Sequence, residues 1–243
     1  MSADDTSTNN ARRRRRAAAR TGWLAIGHAL LVFAAFVLLN PAPSPSSEDA
    51  AFAEYYGSSS SHTAAVVAGF YLLPFAGIAF MWFIIALRIW IRRTSDGLRD
   101  EFYSTGQLVS GVVYLTLLLV AGASISVLAL DVRTAEAGLD PQLARQFTEM
   151  SWALAVVFSM RMAAVFVVTT AVLGRSHGFL PKWFTLVSFA IGAILLLGPS
   201  MSNALMLVMP VWMLVLGVLL LARSRSAPEA LVGAGNPPPE QPI

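Results

Sequence analysis

The stretch SWALAVVFSMRMAAVFVVTTAVL, residues 151–173, carries a single charged side chain, Arg161, among apolar and small residues. A helix needs about 20 apolar residues to cross a hydrocarbon core about 30 Å thick, so this stretch predicts a transmembrane helix. Comparable stretches occur at about 22–39, 64–90, 108–130, 183–198 and 204–222. Together they predict an all-α, polytopic membrane protein built as a bundle of six transmembrane helices.

The composition favours the same class of protein. Hydrophobic residues make up 56% of the 243 residues and charged residues only 13%, whereas soluble domains carry about 25% charged residues. The apolar stretches lack the alternation of a membrane β-barrel, so their backbone amides are expected to pair within helices. The chain has no cysteine, which excludes disulfides and thiol chemistry.

The basic residues predict the orientation. With six spans, fourteen of the seventeen lysines and arginines fall on one side of the membrane, while Arg133 and Arg145 fall on the other. The fourteen are Arg12 to Arg16, Arg20, Arg88, Arg92, Arg93, Arg99, Arg175, Lys182, Arg223 and Arg225. Because positive charge concentrates in cytoplasmic loops, both termini are predicted to be cytoplasmic and the membrane to be the bacterial plasma membrane.

The flanking segments divide the chain into three parts: a disordered basic cytoplasmic tail over 1–21, the transmembrane domain over 22–223, and a disordered cytoplasmic tail over 224–243. The N-terminal arginines are interpreted as a topology signal lying against anionic lipids, and no nucleic-acid partner is predicted. The first span is longer than a usual signal-peptide core and no small-x-small site follows it, so an uncleaved anchor is expected.

The two longer outer loops differ in character. Residues 40–63 are rich in proline and serine and are expected to form an extended, flexible linker. Asp140 and Pro141 form a helix-start signal, with aspartate as the cap and proline at the first helical position. Helix four is therefore predicted to begin above the membrane.

Arg161 stands out because the only other charged residue in a predicted span is Arg88, at the inner end of span two. It follows Ser151 by ten residues, which places it about 15 Å below the outer boundary. Prolines in helices leave a carbonyl without its usual donor, so Pro74 and Pro210 are predicted to kink spans two and six. We expect Arg161 to link span four to span two, at the carbonyl freed by Pro74.

Further acceptors predicted for Arg161 are Tyr71, Tyr114 and Ser110. Two interpretations stay open: Arg161 is an internal hydrogen-bond hub, or it binds an anionic ligand within the membrane. His28 in span one is predicted to bond across helices. No second membrane histidine accompanies it, so neither a haem, nor another cofactor, nor a metal site is expected. The small pair Gly122 and Ser126 predicts close helix contact within the monomer.

Three segments resemble an uncharacterised family of actinobacterial polytopic integral membrane proteins. They are FYLLPFAGIAFMWF at 70–83, MRMAAVF at 160–166 and GFLPKW at 178–183. The resemblance covers spans two to five and supports a membrane location. It implies no activity and carries over no catalytic or binding residue.

Two functions are compatible with these features. The first is a non-enzymatic accessory or scaffold subunit of the cell envelope, with other membrane proteins as partners. The alternative is a small transporter or lipid-binding protein, in which Arg161 faces an anionic ligand. A membrane enzyme is disfavoured, because the spans contain no acid, cysteine or histidine pair.

Overall fold

The computed structural model describes residues 3–39, 42–44, 46–92, 98–134, 140–198 and 204–225. Regular structure in these ranges is helical. The α-helices are α1 (Ala3–Leu39), α2 (Asp49–Gly57), α3 (Ser59–Val66), α4 (Leu73–Arg92), α5 (Leu98–Thr134), α6 (Pro141–Trp152), α7 (Ser159–Ser176), α8 (Lys182–Leu197) and α9 (Leu205–Arg225). Two π-helical segments, π1 (Val67–Leu72) and π2 (Ala153–Phe158), join α3 to α4 and α6 to α7.

Five helical stretches are long and apolar enough to cross a membrane, which makes the chain a multi-pass membrane protein. They are Arg15–Leu39, Ser59–Ile91, Leu98–Leu128, Pro141–Ser176 and Leu205–Arg225. Each contains one predicted span or most of it. The predicted span over 183–198 corresponds to α8, which is apolar but has only 16 residues and is therefore about 24 Å long. The count of six stays a prediction.

The predicted disordered tail over 1–21 is wrong from Ala3 onward, because α1 begins there and continues without a break into the first span. Alanine and arginine, which fill much of this segment, are among the best helix formers. In the predicted C-terminal tail, Ser224 and Arg225 belong to α9. Residues 226–243 lie outside the described part of the chain.

The flexible linker predicted over 40–63 is also wrong, since it contains α2 and the first five residues of α3. We call α2 the cap helix. Its residues Phe52, Tyr55 and Tyr56 share one face and are buried in a small core with Leu128 and Ala144. Burial of this apolar face, rather than local sequence preference, holds the cap helix in place.

The predicted helix start at Asp140 is confirmed. Its carboxylate accepts a hydrogen bond of 2.9 Å from the backbone N–H of Gln142, and Pro141 opens α6. The segment π1, in which the Leu73 N–H bonds to the Ala68 carbonyl, ends two residues before Pro74; the kinks predicted at Pro74 and Pro210 stay predictions. Pro210 lies inside α9, which continues on both sides of it.

Glycines allow the closest helix contacts. A Cβ at Gly217 would lie 2.8 Å from the Gly22 carbonyl oxygen, so α1 and α9 cross with their backbones nearly touching. A Cβ at Gly69 would lie 1.6 Å from Ser126 Oγ and 2.9 Å from the Gly122 carbonyl oxygen. The contact predicted for Gly122 and Ser126 is therefore confirmed, between α5 and π1 of the same chain.

Candidate functional site

A cavity of about 120 Å³ lies between the C-terminal end of α1 and the facing parts of α5 and α6. It is therefore at the end of the bundle opposite the N-terminus of α1. Its walls are mainly aliphatic and aromatic side chains. The lining residues are Val32, Ala35, Phe36, Leu39, Ala42, Pro43, Ser44, Leu73, Leu118, Ala121, Gly122, Ile125, Thr148, Ser151, Trp152, Ala155 and Met206.

Two buried hydroxyls on α6 belong to the cavity wall, and they differ in their hydrogen bonding. Ser151 Oγ donates to the Ala121 carbonyl at 2.8 Å, which ties α6 to α5. Thr148 Oγ1 has no hydrogen-bond partner among the described residues, although only 6% of Thr148 is exposed. Because most buried polar groups are paired, Thr148 is the polar atom of this cavity that has capacity for a ligand.

The cap helix adds two more buried hydroxyls beside Thr148. Tyr55 and Tyr56 pack edge to face with ring centroids 5.0 Å apart, and neither hydroxyl has a partner among the described residues. Burial raises the pKa of Tyr56, and a hydrogen-bonding interaction with the adjacent Thr148 hydroxyl, outside normal hydrogen-bond geometry, partly offsets this rise. Burial, reinforced by Tyr56, raises the pKa of Tyr55 to about 12. Both phenols therefore keep their protons near neutral pH and can donate hydrogen bonds.

An ion pair holds the cap helix to α6. Arg145 donates to Asp49 Oδ1 at 2.6 Å and to the Ser47 carbonyl at 2.9 Å. Its guanidinium lies 5.4 Å from the centroid of the Phe52 ring. The positive charge of Arg145 is thus balanced by a carboxylate.

The hydrogen bonding expected for Arg161 is not the one observed. Its guanidinium donates to the Val157 carbonyl at 2.7 Å, four residues earlier in π2. Ser110 Oγ instead donates to the Gly106 and Gln107 carbonyls, and the Tyr114 hydroxyl has no partner among the described residues. The predicted bond from Arg161 to the Tyr114 hydroxyl is therefore wrong, and the bond to Ser110 stays a prediction. The side chain does lean toward its helix N-terminus, as helix geometry requires, but it meets a carbonyl of its own segment.

The remaining predicted residues lie in three separate places. Tyr71 is in π1 and 57% exposed, on the surface of the bundle rather than inside it. Pro74 follows π1 in α4, and Pro210 is buried in α9. Arg161 is not part of the cavity wall, and its predicted link to span two stays a prediction.

His28 and Tyr114 form a second buried polar centre, one helical turn from the cavity-lining residues Val32 and Leu118. His28 Nδ1 lies 2.9 Å from the Ala76 carbonyl, which confirms the predicted bond between helices. A carbonyl only accepts, so Nδ1 carries the proton and Nε2 is left as an acceptor. His28 Nε2 and the Tyr114 hydroxyl both lack a partner among the described residues, and their rings are 6.4 Å apart.

Sequence reasoning missed Thr148, Tyr55 and Tyr56. The signal for the tyrosines is the spacing of Phe52, Tyr55 and Tyr56, which places three aromatic rings on one helix face. No comparable signal marks Thr148, because its importance depends on which helix faces it. In the described part of the chain, no group of three or more histidine, aspartate or glutamate residues is placed to hold a metal ion.

Comparisons of this chain with family models, with curated proteins and with solved structures found no match. The resemblance to actinobacterial membrane proteins stays a prediction.

Proposed function

We propose that this chain is a six-span, non-enzymatic protein of the plasma membrane that binds a lipid in the cavity beside the cap helix. The observation that carries the proposal is the cavity itself: it is apolar along most of its wall and contains one unpaired buried hydroxyl, Thr148. In this proposal both termini are cytoplasmic, and the cavity opens in the outer half of the bilayer.

The charge distribution supports this topology. α1 begins on the side that carries the arginine run, and α9 ends with Arg223 and Arg225. Both ends lie on the same side only if α8 crosses the membrane as a fifth span. At about 24 Å α8 is shorter than an average hydrocarbon core, and bilayers adapt to such a mismatch by local thinning at modest cost.

The size and chemistry of the cavity favour a hydrocarbon ligand. An apolar cavity of about 150 Å³ can hold a benzene-sized molecule, so about 120 Å³ accommodates a short length of one lipid chain. From Thr148 to Ala155 the cavity follows α6 and π2 for about 10 Å. The hydroxyl lies toward the cap helix and the apolar wall lies deeper, which matches the orientation of a lipid in the outer leaflet.

The cavity changes the preference between the two functions predicted from the sequence. It favours the lipid-binding alternative over the accessory or scaffold subunit. It also moves the binding site away from Arg161, whose guanidinium bonds to its own helix and does not line the cavity.

A matched pair of alanine variants tests the proposal. Ala121 lines the cavity and is 2% exposed, whereas Ala123, two residues along the same helix, faces outward. Phenylalanine at position 121 fills the cavity, and phenylalanine at position 123 adds the same side chain to the lipid-facing surface. The full chain and both variants are purified in mild detergent, and the lipid retained per protein is measured by mass spectrometry of the extract.

We expect the wild type and Ala123→Phe to retain lipid in a constant ratio, and Ala121→Phe to lose it. Size-exclusion profiles must show that both variants remain folded. If a folded Ala121→Phe variant retains as much lipid as Ala123→Phe, the proposed function is wrong.

A further inference from the structure

The cavity wall and the cap helix bring together three buried hydroxyls, those of Tyr55, Tyr56 and Thr148. Each residue is at least nine-tenths buried. The Tyr56 and Thr148 hydroxyls lie close enough to interact with each other, and none of the three oxygens has a hydrogen bond of normal geometry to another described residue. Single unpaired groups of this kind are uncommon in folded proteins. Three adjacent ones indicate a place where polar ligand atoms bind.

Thr148 connects this hydroxyl group to the cavity. It lines the cavity from α6, and Tyr56 lies directly next to it on the cap helix. Ala42 belongs both to the cavity wall and to the apolar residues packed around the cap tyrosines. A ligand chain in the cavity therefore places its polar end beside Thr148 and Tyr56.

The charges around the three hydroxyls limit the class of polar group. The raised pKa values of both tyrosines keep them protonated, so they donate hydrogen bonds. Arg145 is neutralised by Asp49 at 2.6 Å. An anionic carboxylate or phosphate bound here would lose its hydration and compete with Asp49 for Arg145, which is unfavourable. An uncharged acceptor avoids that cost.

We infer that the ligand is a glycerol-ester lipid whose ester carbonyl accepts hydrogen bonds from the hydroxyls of Thr148 and Tyr56. This inference rests on the proposed lipid site and adds the chemical group that is recognised there. The ester is the polar group that lies directly above the hydrocarbon chain of such a lipid. Its carbonyl therefore reaches Thr148 when the chain occupies the apolar part of the cavity.

The test compares two probes that differ only at the recognised group. Dioleoylglycerol carries ester carbonyls, and its di-ether analogue lacks them. Binding of each to the full chain in detergent micelles is measured by competition with radiolabelled dioleoylglycerol. The variants are Thr148→Val and Tyr56→Phe, which each remove one hydroxyl. Thr116→Val is the control, because the Thr116 hydroxyl is on the exposed face of α5 and bonds to the Val112 carbonyl.

For the wild type and Thr116→Val we expect the ester probe to bind about 10-fold more tightly than the ether probe, the effect of one to two neutral hydrogen bonds. Thr148→Val and Tyr56→Phe lower ester binding toward the ether level and leave ether binding unchanged. Because the two variants are made separately, a folding defect in one leaves the other as a test.

Three outcomes overturn the inference, and they separate it from the proposed function. If the ester and ether probes bind equally and Ala121→Phe abolishes the binding of both, the ester contact is wrong and the lipid site is supported. If oleate at pH 8 displaces the radiolabelled ester at a lower concentration than unlabelled dioleoylglycerol does, the site selects an anion. Binding that Ala121→Phe does not affect removes both the inference and the proposed function.

Discussion

Replacing Gly69 with alanine should destabilise the protein, whereas the same change at Gly27 should not. Both glycines lie in helical segments of the membrane domain. A Cβ on Gly69 would meet Ser126 Oγ at 1.6 Å, Ser126 Cβ at 2.8 Å and the Gly122 carbonyl oxygen at 2.9 Å. A Cβ on Gly27 would have no neighbour within 4 Å, so Gly27→Ala is the matched control.

The size of the effect follows from these distances. The Ser126 hydroxyl cannot simply rotate, because it donates to the Ala65 carbonyl at 3.1 Å and the Gly122 carbonyl at 2.8 Å. The helices must therefore separate, and overpacking of this kind costs about 1–3 kcal/mol. At Gly27 alanine removes the conformational cost of glycine and stabilises by about 0.5–1 kcal/mol.

The measurement is the unfolding free energy of the purified protein in mixed detergent micelles, titrated with dodecyl sulfate and followed by helical circular dichroism. In thermal scans each kcal/mol corresponds to about 2–4 °C for a chain of this size. Adding Ser126→Gly to Gly69→Ala should recover part of the loss, since it removes two of the three clashing atoms. The Gly122 carbonyl remains, so the recovery is incomplete.

The reasoning is refuted if Gly69→Ala is as stable as Gly27→Ala. A second contradiction would be additivity. If the loss of unfolding free energy in the double variant equals or exceeds the sum of the two single losses, the clash with Ser126 is absent, because that clash predicts a smaller loss than the sum.

Three further predictions concern the cap helix and the contact of α8 with α9. Trp212→Phe removes the 2.9 Å hydrogen bond from the indole N–H to Ser188 Oγ and should lower the unfolding free energy by about 0.6–1.7 kcal/mol, measured by the same titration. Arg145→Gln breaks the ion pair with Asp49, in which the two side chains are 33% and 62% exposed, respectively. The loss of unfolding free energy should stay below about 1 kcal/mol and shrink in high salt, as measured by melting temperatures. Tyr55 has a pKa raised from 10.0 to about 12, so its contribution to stability is complete below pH 10 and is lost as the pH rises toward 12. Limited proteolysis of the cap helix should therefore increase across that interval, and Tyr55→Phe should flatten the increase.

Much of the architecture was predictable from local sequence. Membrane helices are recognised by their length and by the absence of charge, properties that each segment carries by itself. The start of α6 at Pro141 was predictable for the same reason, since a cap and a proline act on adjacent backbone groups. A hydrogen bond from His28 to another helix was predictable, because a buried imidazole needs a partner. The acceptor, the Ala76 carbonyl, was not predictable.

Contacts between distant segments were not predictable in this way. The cap helix was predicted to be flexible because its surroundings in sequence are prolines and serines, yet Tyr55 and Tyr56 are buried against α5 and α6. The bond predicted from Arg161 to Tyr114 failed because depth in the membrane does not determine the direction in which a helix face points. Arg161 donates to the Val157 carbonyl in π2.

That this chain is a multi-pass helical membrane protein follows from its sequence alone, because transfer of apolar side chains from water into lipid depends on each segment separately. The position of the cavity, in contrast, follows from the tertiary structure. The cavity exists because α1, α5 and α6 meet imperfectly at one end of the bundle, and Thr148 faces it only through the rotation of α6. Such a site depends on the relative placement of helices far apart in sequence, which no single segment specifies.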